Sequence, residues 1–335
     1  MSQPEIQTAA IVGIAGPVLT PAEAALLRAH RPAGVILFGR NVVEPVQLHA
    51  LTAALRAALP QGAVLLVDQE GGRVARLRPP HWRAHPAAGR IGEVYDTNPQ
   101  AGLRAAWLTG ALIGLDCAAS GFNVACAPVL DVRRAGASDV VGDRSFSADP
   151  QAVARLGAAM ADGLLASGVL PVIKHAPGHG QAMVDSHVAL PEVAQLATAD
   201  LTPFVANAGL PWAMTAHVLY RDRDAERPAT LSPLIINQVI RGEIGFAGLL
   251  CSDDLAMQAL RGTPAERAVS CLQAGCDLAL YCPGDFAGTA AVLEACPSPT
   301  PEALARLATG AALAQSRAIA LDAAQLAAER DMLTR

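Results

Sequence analysis

Eight short apolar runs, separated by longer segments of helical period, set the strongest limit on how this chain can fold. The runs are AAIVGIAG (9–16), GVILFG (34–39), AVLLVDQ (63–69), NVACAPV (123–129), LPVIKH (170–175), WAMTAHV (212–218), GLLCSDD (248–254) and LALYC (278–282). Between them the sequence predicts helices at 21–30, 45–59, 101–120, 150–168, 200–209, 232–244, 264–275 and 288–296. Strands alternating with helices are the pattern of βα units and a parallel sheet. Runs that are apolar nearly throughout suit strands covered on both faces. Eight such units predict an α/β fold, a single TIM-type (β/α)8 barrel over residues 1–335; a doubly wound open sheet is the structural rival. A length of 335 residues suits one barrel with insertions. No Gly/Ser/Pro-rich linker divides the chain, and the segment after Pro301 predicts one or two additional C-terminal helices on the outside.

Composition narrows the function. Charged residues make up only 16% of the chain, which excludes a disordered polyelectrolyte. The net charge is −5 and Lys and Arg are spread along the chain, so no basic stripe marks a nucleic-acid partner. No window supplies the ~18 uninterrupted apolar residues of a membrane span. The start, MSQPEIQTAAIVGIAGP, has no basic n-region and reads as a first strand, not a signal peptide. A cytoplasmic location is expected. The seven cysteines (Cys117, Cys126, Cys251, Cys271, Cys276, Cys282 and Cys296) form no CxxC pair and are odd in number. That suits buried free thiols in a reducing compartment better than a disulfide framework.

In a barrel the active site is built on loops that follow the C-terminal ends of the strands. Polar residues gather at those ends here: Asp68, Gln69 and Glu70, then Lys174 and His175, then His217, then Asp253 and Asp254. Asp253 follows an apolar strand, where a carboxylate is desolvated unless it is paired or functional. It reads either as one half of a salt bridge or as a nucleophilic carboxylate. The densest cluster is KHAPGHGQAMVDSH, with Asp185 and His187 flanking Ser186 on a glycine-bearing loop. An Asp can orient an imidazole and hold its proton on one nitrogen, so this pair suits general acid and base work; a merely polar capping loop is the plainer alternative. His175, His179, Asp185 and His187 could also be metal ligands, although their spacing matches no strong zinc motif. Lys174 could form a Schiff base. DQEGGRVARL places a tight Gly71–Gly72 turn before Arg73 and Arg76, with no Gly-Lys-Ser/Thr of a phosphate loop. Asp143 and Arg144 of GDRSF lie in a long irregular stretch, where a surface ion pair is the plain reading.

Taken together, GVILFGRN, VDQEGGRVARL, APVLDV, GDRSFSADP, KHAPGHG, DSH, MTAHVLY and GFAGLLCSDDLAM resemble glycoside hydrolase family 3, in particular its single-domain bacterial β-N-acetylglucosaminidases. KHxPGHG followed by DSH and SDDLxM is the specific part of the match. The resemblance implies a retaining double displacement with Asp253 as nucleophile, His187 as general acid/base and Asp185 as its dyad partner. It implies that Asp68, Arg76, Arg144, Lys174 and His175 bind sugar. The expected partner is a small carbohydrate, N-acetylglucosamine (GlcNAc) linked to 1,6-anhydro-N-acetylmuramic acid with or without peptide, handled in peptidoglycan recycling. No cofactor and no metal is expected. Ala176 stands where the family usually has Phe, Thr215 where Pro is common, and Gly39 where Ala is frequent. A metal-dependent barrel hydrolase, a non-catalytic sugar-binding protein and a Schiff-base aldolase are the rivals.

Overall fold

Each of the eight apolar runs contains a strand, and the strands pair side by side in parallel. In the computed structural model, which describes residues 6–134, 136, 139–182, 184, 186 and 189–335, they are β1 (Thr8–Gly13), β2 (Pro32–Leu37), β3 (Val64–Val67), β4 (Val124–Ala125), β5 (Leu170–Ala176), β7 (Trp212–Thr215), β9 (Leu249–Cys251) and β10 (Ala279–Tyr281). Two further short strands, β6 (Glu192–Val193) and β8 (Leu219–Tyr220), form a separate pair. The sheet order is β10-β1-β2-β3-β4-β5-β7-β9. A parallel bridge from Cys251 to Leu278 joins its two edges, with the Ser252 N–H donating to the Leu278 carbonyl at 3.1 Å. That closure decides for the barrel over the open sheet.

Alternation along the strands separates two cores, as a barrel requires. Ile11, Ile36, Leu66, Val124, Val172, Leu249 and Leu280 fill the interior. Val12, Val35, Leu37, Leu65, Val67, Ile173 and Leu250 face outward against the helices. The helices are α1 (Pro21–His30), α2 (Pro45–Ala58), α3 (Ala88–Thr97), α4 (Pro99–Ala119), α5 (Pro150–Ala166), α6 (Thr198–Ala206), α7 (Pro264–Ala274), α8 (Phe286–Ala295), α9 (Pro301–Arg317) and α10 (Ala323–Leu333). Five of them begin with a capping side chain followed by proline: Thr20–Pro21, Asn98–Pro99, Asp149–Pro150, Thr263–Pro264 and Thr300–Pro301. The cap oxygen satisfies a free N–H of the first turn, and proline fits a position that needs no N–H.

The segment expected as a helix at 232–244 is helical over Ile235–Glu243 with wide π-type turns. Helix α3 was not legible, because Gly89 and Gly92 interrupt its short apolar pattern. Its two glycines let it lie against the backbone of the 143–146 segment. Leu307 and Ala314 of α9 join Leu170 and Trp212, the first residues of β5 and β7, so α9 covers the N-terminal mouth of the barrel. Leu326 of α10 packs on Leu108 and Leu112 of α4. All seven cysteines are buried and free, and no helix among the described residues is long and apolar enough to cross a membrane.

Candidate active site

The C-terminal ends of β2, β3, β5, β9 and β10 open into one cleft of about 760 Å³. Asp68, Glu70, Arg76, Arg144, Lys174, His175, His179, Ser186, Asp253 and Asp254 are its polar lining, and Phe38, Met214 and Met257 are among its apolar lining. The six sequence-predicted site residues Asp68, Arg76, Arg144, Lys174, His175 and Asp253 therefore converge. Asp185 and His187 lie outside the described residues; Ser186, between them, lines the cleft.

Lys174 is the hub of the charged wall. Its side chain is only 2% exposed, and its Nζ lies 2.9 Å from Asp68 Oδ1 and 2.6 Å from Glu70 Oε1. Arg76 Nη2 reaches the other oxygen of Asp68 at 3.2 Å. Arg144 grips Glu70 with two bonds of 2.8 Å, a fork-on-fork pairing. Burial alone would raise the pKa of both acids, but Lys174 and the arginines outweigh it. Asp68 is held far below its ordinary range, and Glu70 falls to about 2. On Lys174 the two carboxylates likewise overcome burial and push the ammonium up. A lysine held as a cation by two carboxylates is a poor amine nucleophile, which counts against the Schiff-base reading.

A second set of contacts orients the imidazoles. Asp131, fully buried, lies 2.7 Å from His175 Nδ1 and accepts the His179 backbone N–H at 2.6 Å. Burial opposes its charge, but His175 and His179 hold it down at about 2, so it is an acceptor and His175 Nδ1 carries the proton. His175 Nε2 then faces Arg144 Nη2 at 3.5 Å. His179 is buried, and burial lowers it to about 4. Asp131 and His179 carry no role in the sequence reading beyond a possible ligand role for His179. Nothing around APVLDV signals that this Asp reaches a histidine 44 residues away.

Asp253 is 8% exposed and has no salt-bridge partner among the described residues. Its Oδ1 accepts the Asp254 N–H at 2.8 Å. Burial would raise it, yet His175 and His217 nearby, with that N–H, keep it below the ordinary carboxylate value. An ionised oxygen pair therefore faces the cleft. His217 is different: it lies beneath the cleft, with Nδ1 2.8 Å from Thr230 Oγ1 and Nε2 2.8 Å from the Asp254 carbonyl. Burial lowers it, so it braces the Asp253–Asp254 backbone as a neutral ring. Thr215 enters the same network through Thr230, 2.8 Å away.

The turn after β3 is shaped by its glycines. Gly71 has φ of 100°, and a Cβ there would sit 2.3 Å from the Pro86 carbonyl oxygen. Gln69, inside the turn, accepts from the Arg76 and Leu77 N–H groups at 2.8 and 3.0 Å. Of the two arginines beyond the turn, Arg73 forms the plain exposed pair, with Asp143; Arg76 points into the cleft.

The model of the glycosyl hydrolase family 3 N-terminal domain matches residues 10–306. The chain belongs to glycoside hydrolase family 3. It is 42% identical over 305 residues to a β-hexosaminidase of Alkalilimnicola ehrlichii, covering 89% of this chain and 86% of that one. A β-hexosaminidase of Idiomarina loihiensis is 38% identical over 320 residues, with 93% and 94% covered. Among solved structures, NagZ from Neisseria gonorrhoeae in complex with N-trifluoroacetyl-D-glucosamine superposes with a TM-score of 0.85 at 32% identity, covering 99% of this chain and 98% of that one. As a family 3 member the protein is a glycosidase on a TIM-type barrel, and a small carbohydrate is its substrate. The cleft agrees chemically: its lining combines fixed ionised acids and cations with apolar side chains, which match a sugar ring's hydroxyls and faces.

Proposed function

We propose that the protein is a retaining exo-β-N-acetylglucosaminidase that releases GlcNAc from 1,6-anhydro-N-acetylmuramic acid, with or without peptide, during cytoplasmic peptidoglycan recycling. The observation that carries the reading is Asp253: a buried, ionised carboxylate with no salt-bridge partner among the described residues, lining the same cleft as the paired charges of Asp68, Glu70, Lys174 and Arg144. In this reading Asp253 attacks the anomeric carbon and forms a glycosyl-enzyme through an oxocarbenium-like state. His187 protonates the departing oxygen and then takes a proton from water, with Asp185 fixing its tautomer. That Ser186 lines the cleft supports giving the acid/base role to its two sequence neighbours. Asp68 accepts from sugar hydroxyls, while Lys174, Arg76, Arg144 and His175 complete the grip. We read residues 1–335 as one catalytic unit. The N-acetyl preference is supported by the β-hexosaminidase relatives and by the glucosamine derivative bound to the gonococcal protein.

The test is release of nitrophenol from its β-N-acetylglucosaminide and β-glucoside, each with and without chelator, by the native enzyme and by Asp253→Asn. Chelator-resistant cleavage of the N-acetyl sugar by the native enzyme alone is expected. Substantial turnover by Asp253→Asn would sink the nucleophile assignment; loss of activity in chelator would favour a metal hydrolase.

A further inference from the structure

The Gly71–Gly72 turn rests on a platform, residues 85–87. The Gly72 N–H donates to the His85 carbonyl at 2.9 Å, and Gly71 lies against the Pro86 carbonyl. The turn carries Glu70 on one side and Arg76 on the other, so the height of this platform sets where both groups meet the cleft. What holds the platform is a buried cluster that the reaction does not use. The His85 ring has no exposed surface; its Nε2 lies 3.0 Å from Asp116 Oδ2 on α4, and its Nδ1 lies 3.0 Å from Arg330 Nη1 on α10. Arg83 takes the other oxygen of Asp116, and Asp331 accepts from Arg330 on its outer side. Arg330 is only 4% exposed although it sits on the outermost helix.

A guanidinium can only donate hydrogen bonds. His85 Nδ1 must therefore accept, its proton must sit on Nε2, and that proton is given to Asp116. A protonated ring would turn an N–H toward the Arg330 N–H and break the contact. Burial first, and Arg330 and Arg83 after it, oppose protonation, while Asp116 favours it; the balance lowers His85 and keeps the ring neutral.

We propose that Arg330 is a positioning residue for the sugar-facing turn: by locking His85 in its neutral Nε2–H form it fixes the platform that sets Glu70 and Arg76. This rests on the glycosidase reading of the cleft. Helix α10 thus reaches the substrate wall through one arginine, one imidazole and one carbonyl. Displacing a positioned group by about 1 Å through a change at a remote position can cost about 100-fold in rate.

The experiment compares Arg330→Met, Glu329→Gln, Asp253→Asn and the native enzyme on nitrophenyl β-N-acetylglucosaminide from pH 5 to 8, at a temperature where each is folded. Glu329 pairs with Arg104 on the exposed side of α10, so Glu329→Gln disturbs the same helix without touching His85. Arg330→Met is expected to lose about 10- to 100-fold in kcat/KM and to gain an ionisation in its pH profile as His85 becomes free to take a proton. Glu329→Gln is expected to keep native values of both. A native kcat/KM and pH profile in Arg330→Met, beside an inactive Asp253→Asn, overturns the positioning role alone; an active Asp253→Asn overturns the functional reading. Should Arg330→Met not fold, nitrogen NMR of the native histidines decides: a neutral Nε2–H His85 at pH 7 to 8 is expected, and a charged or Nδ1–H ring there refutes the proposal.

Discussion

Replacing Lys174 by methionine keeps most of the side-chain volume and deletes one buried charge that serves two carboxylates. The ammonium touches Asp68 and Glu70 at 2.9 and 2.6 Å, and each acid keeps one arginine after the change. Removing one partner of a buried ion pair costs about 3–5 kcal/mol. An independent estimate comes from Glu70, whose fall from 4.5 to about 2 in the fold corresponds to about 3 kcal/mol favouring its ionised form. Lys174 and Arg144 share that effect, so it gives the direction of the loss. At about 2.1 cal/mol/K of unfolding entropy per residue over 335 residues, the variant should melt about 4–7 °C lower at pH 7. The sign with pH follows from linkage. A carboxylate depressed in the fold stabilises fully above its unfolded value near 4.5 and loses that contribution as pH falls toward 2. The gap between native and Lys174→Met should therefore be full at neutral pH and close as the medium is acidified through that window. Lost donors to the sugar should lower kcat/KM about 10- to 100-fold, from about 1.5–3 kcal/mol for a charged hydrogen bond. Calorimetric melting at pH 7, 5 and 3.5, with nitrophenyl β-N-acetylglucosaminide kinetics, measures each part. Equal melting temperatures for both proteins at pH 7 would refute the claim that Lys174 holds this wall together.

Other outcomes are equally specific. Gly71→Ala places a Cβ against the Pro86 carbonyl at positive φ, so it should lose about 1–3 kcal/mol and raise KM, as melting and kinetics together would reveal. His179, lowered from 6.5 to about 4, costs stability as pH falls from 6.5 toward 4, because the unfolded chain takes up the proton first. His179→Gln should flatten that slope, and urea titrations across the range that keep the native slope would count against it. His217→Ala removes the brace on the Asp254 carbonyl and one of the contacts of Thr230; a fall of about tenfold in kcat is expected, of the size of one lost hydrogen bond, with KM little changed. A unchanged kcat would deny His217 any hold on Asp253.

The barrel was legible because its signals are local. A strand covered on both faces needs an apolar run, a helix over it needs a periodic face, and Thr-Pro, Asn-Pro and Asp-Pro mark where helices begin. The strand ends were legible for the same reason: Asp68, Lys174 and Asp253 interrupt apolar runs where no local partner explains them. Their pairing was not. Lys174 finds Asp68 across 106 residues of sequence, and it is the sheet order, with β4 alone between β3 and β5, that brings them together. Glu70 was visible at a strand end, yet its two-pronged hold on Arg144 depends on an irregular loop 74 residues away. Asp131 sits in an unremarkable APVLDV, and its importance lies entirely in the backbone course that returns His175 and His179 to it. The expected acid/base pair, Asp185 and His187, lies outside the described residues. Helix α3 and the β6–β8 pair escaped because two-residue strands and a glycine-bearing helix leave almost no pattern to read.

The seven thiols have a practical corollary. Burial raises Cys126 and Cys282 well above the ordinary thiol range, and Cys296 to about 12, so none is both exposed and ionised in the native state. A water-soluble disulfide reagent can then react only when part of the molecule opens. Cys282 follows β10 at the cleft and Cys126 follows β4 within the barrel interior, whereas Cys296 ends α8 near the opposite mouth. Their labelling times form a clock with hands in different rooms of the barrel, reporting whether the catalytic rim breathes independently of the base on which it stands.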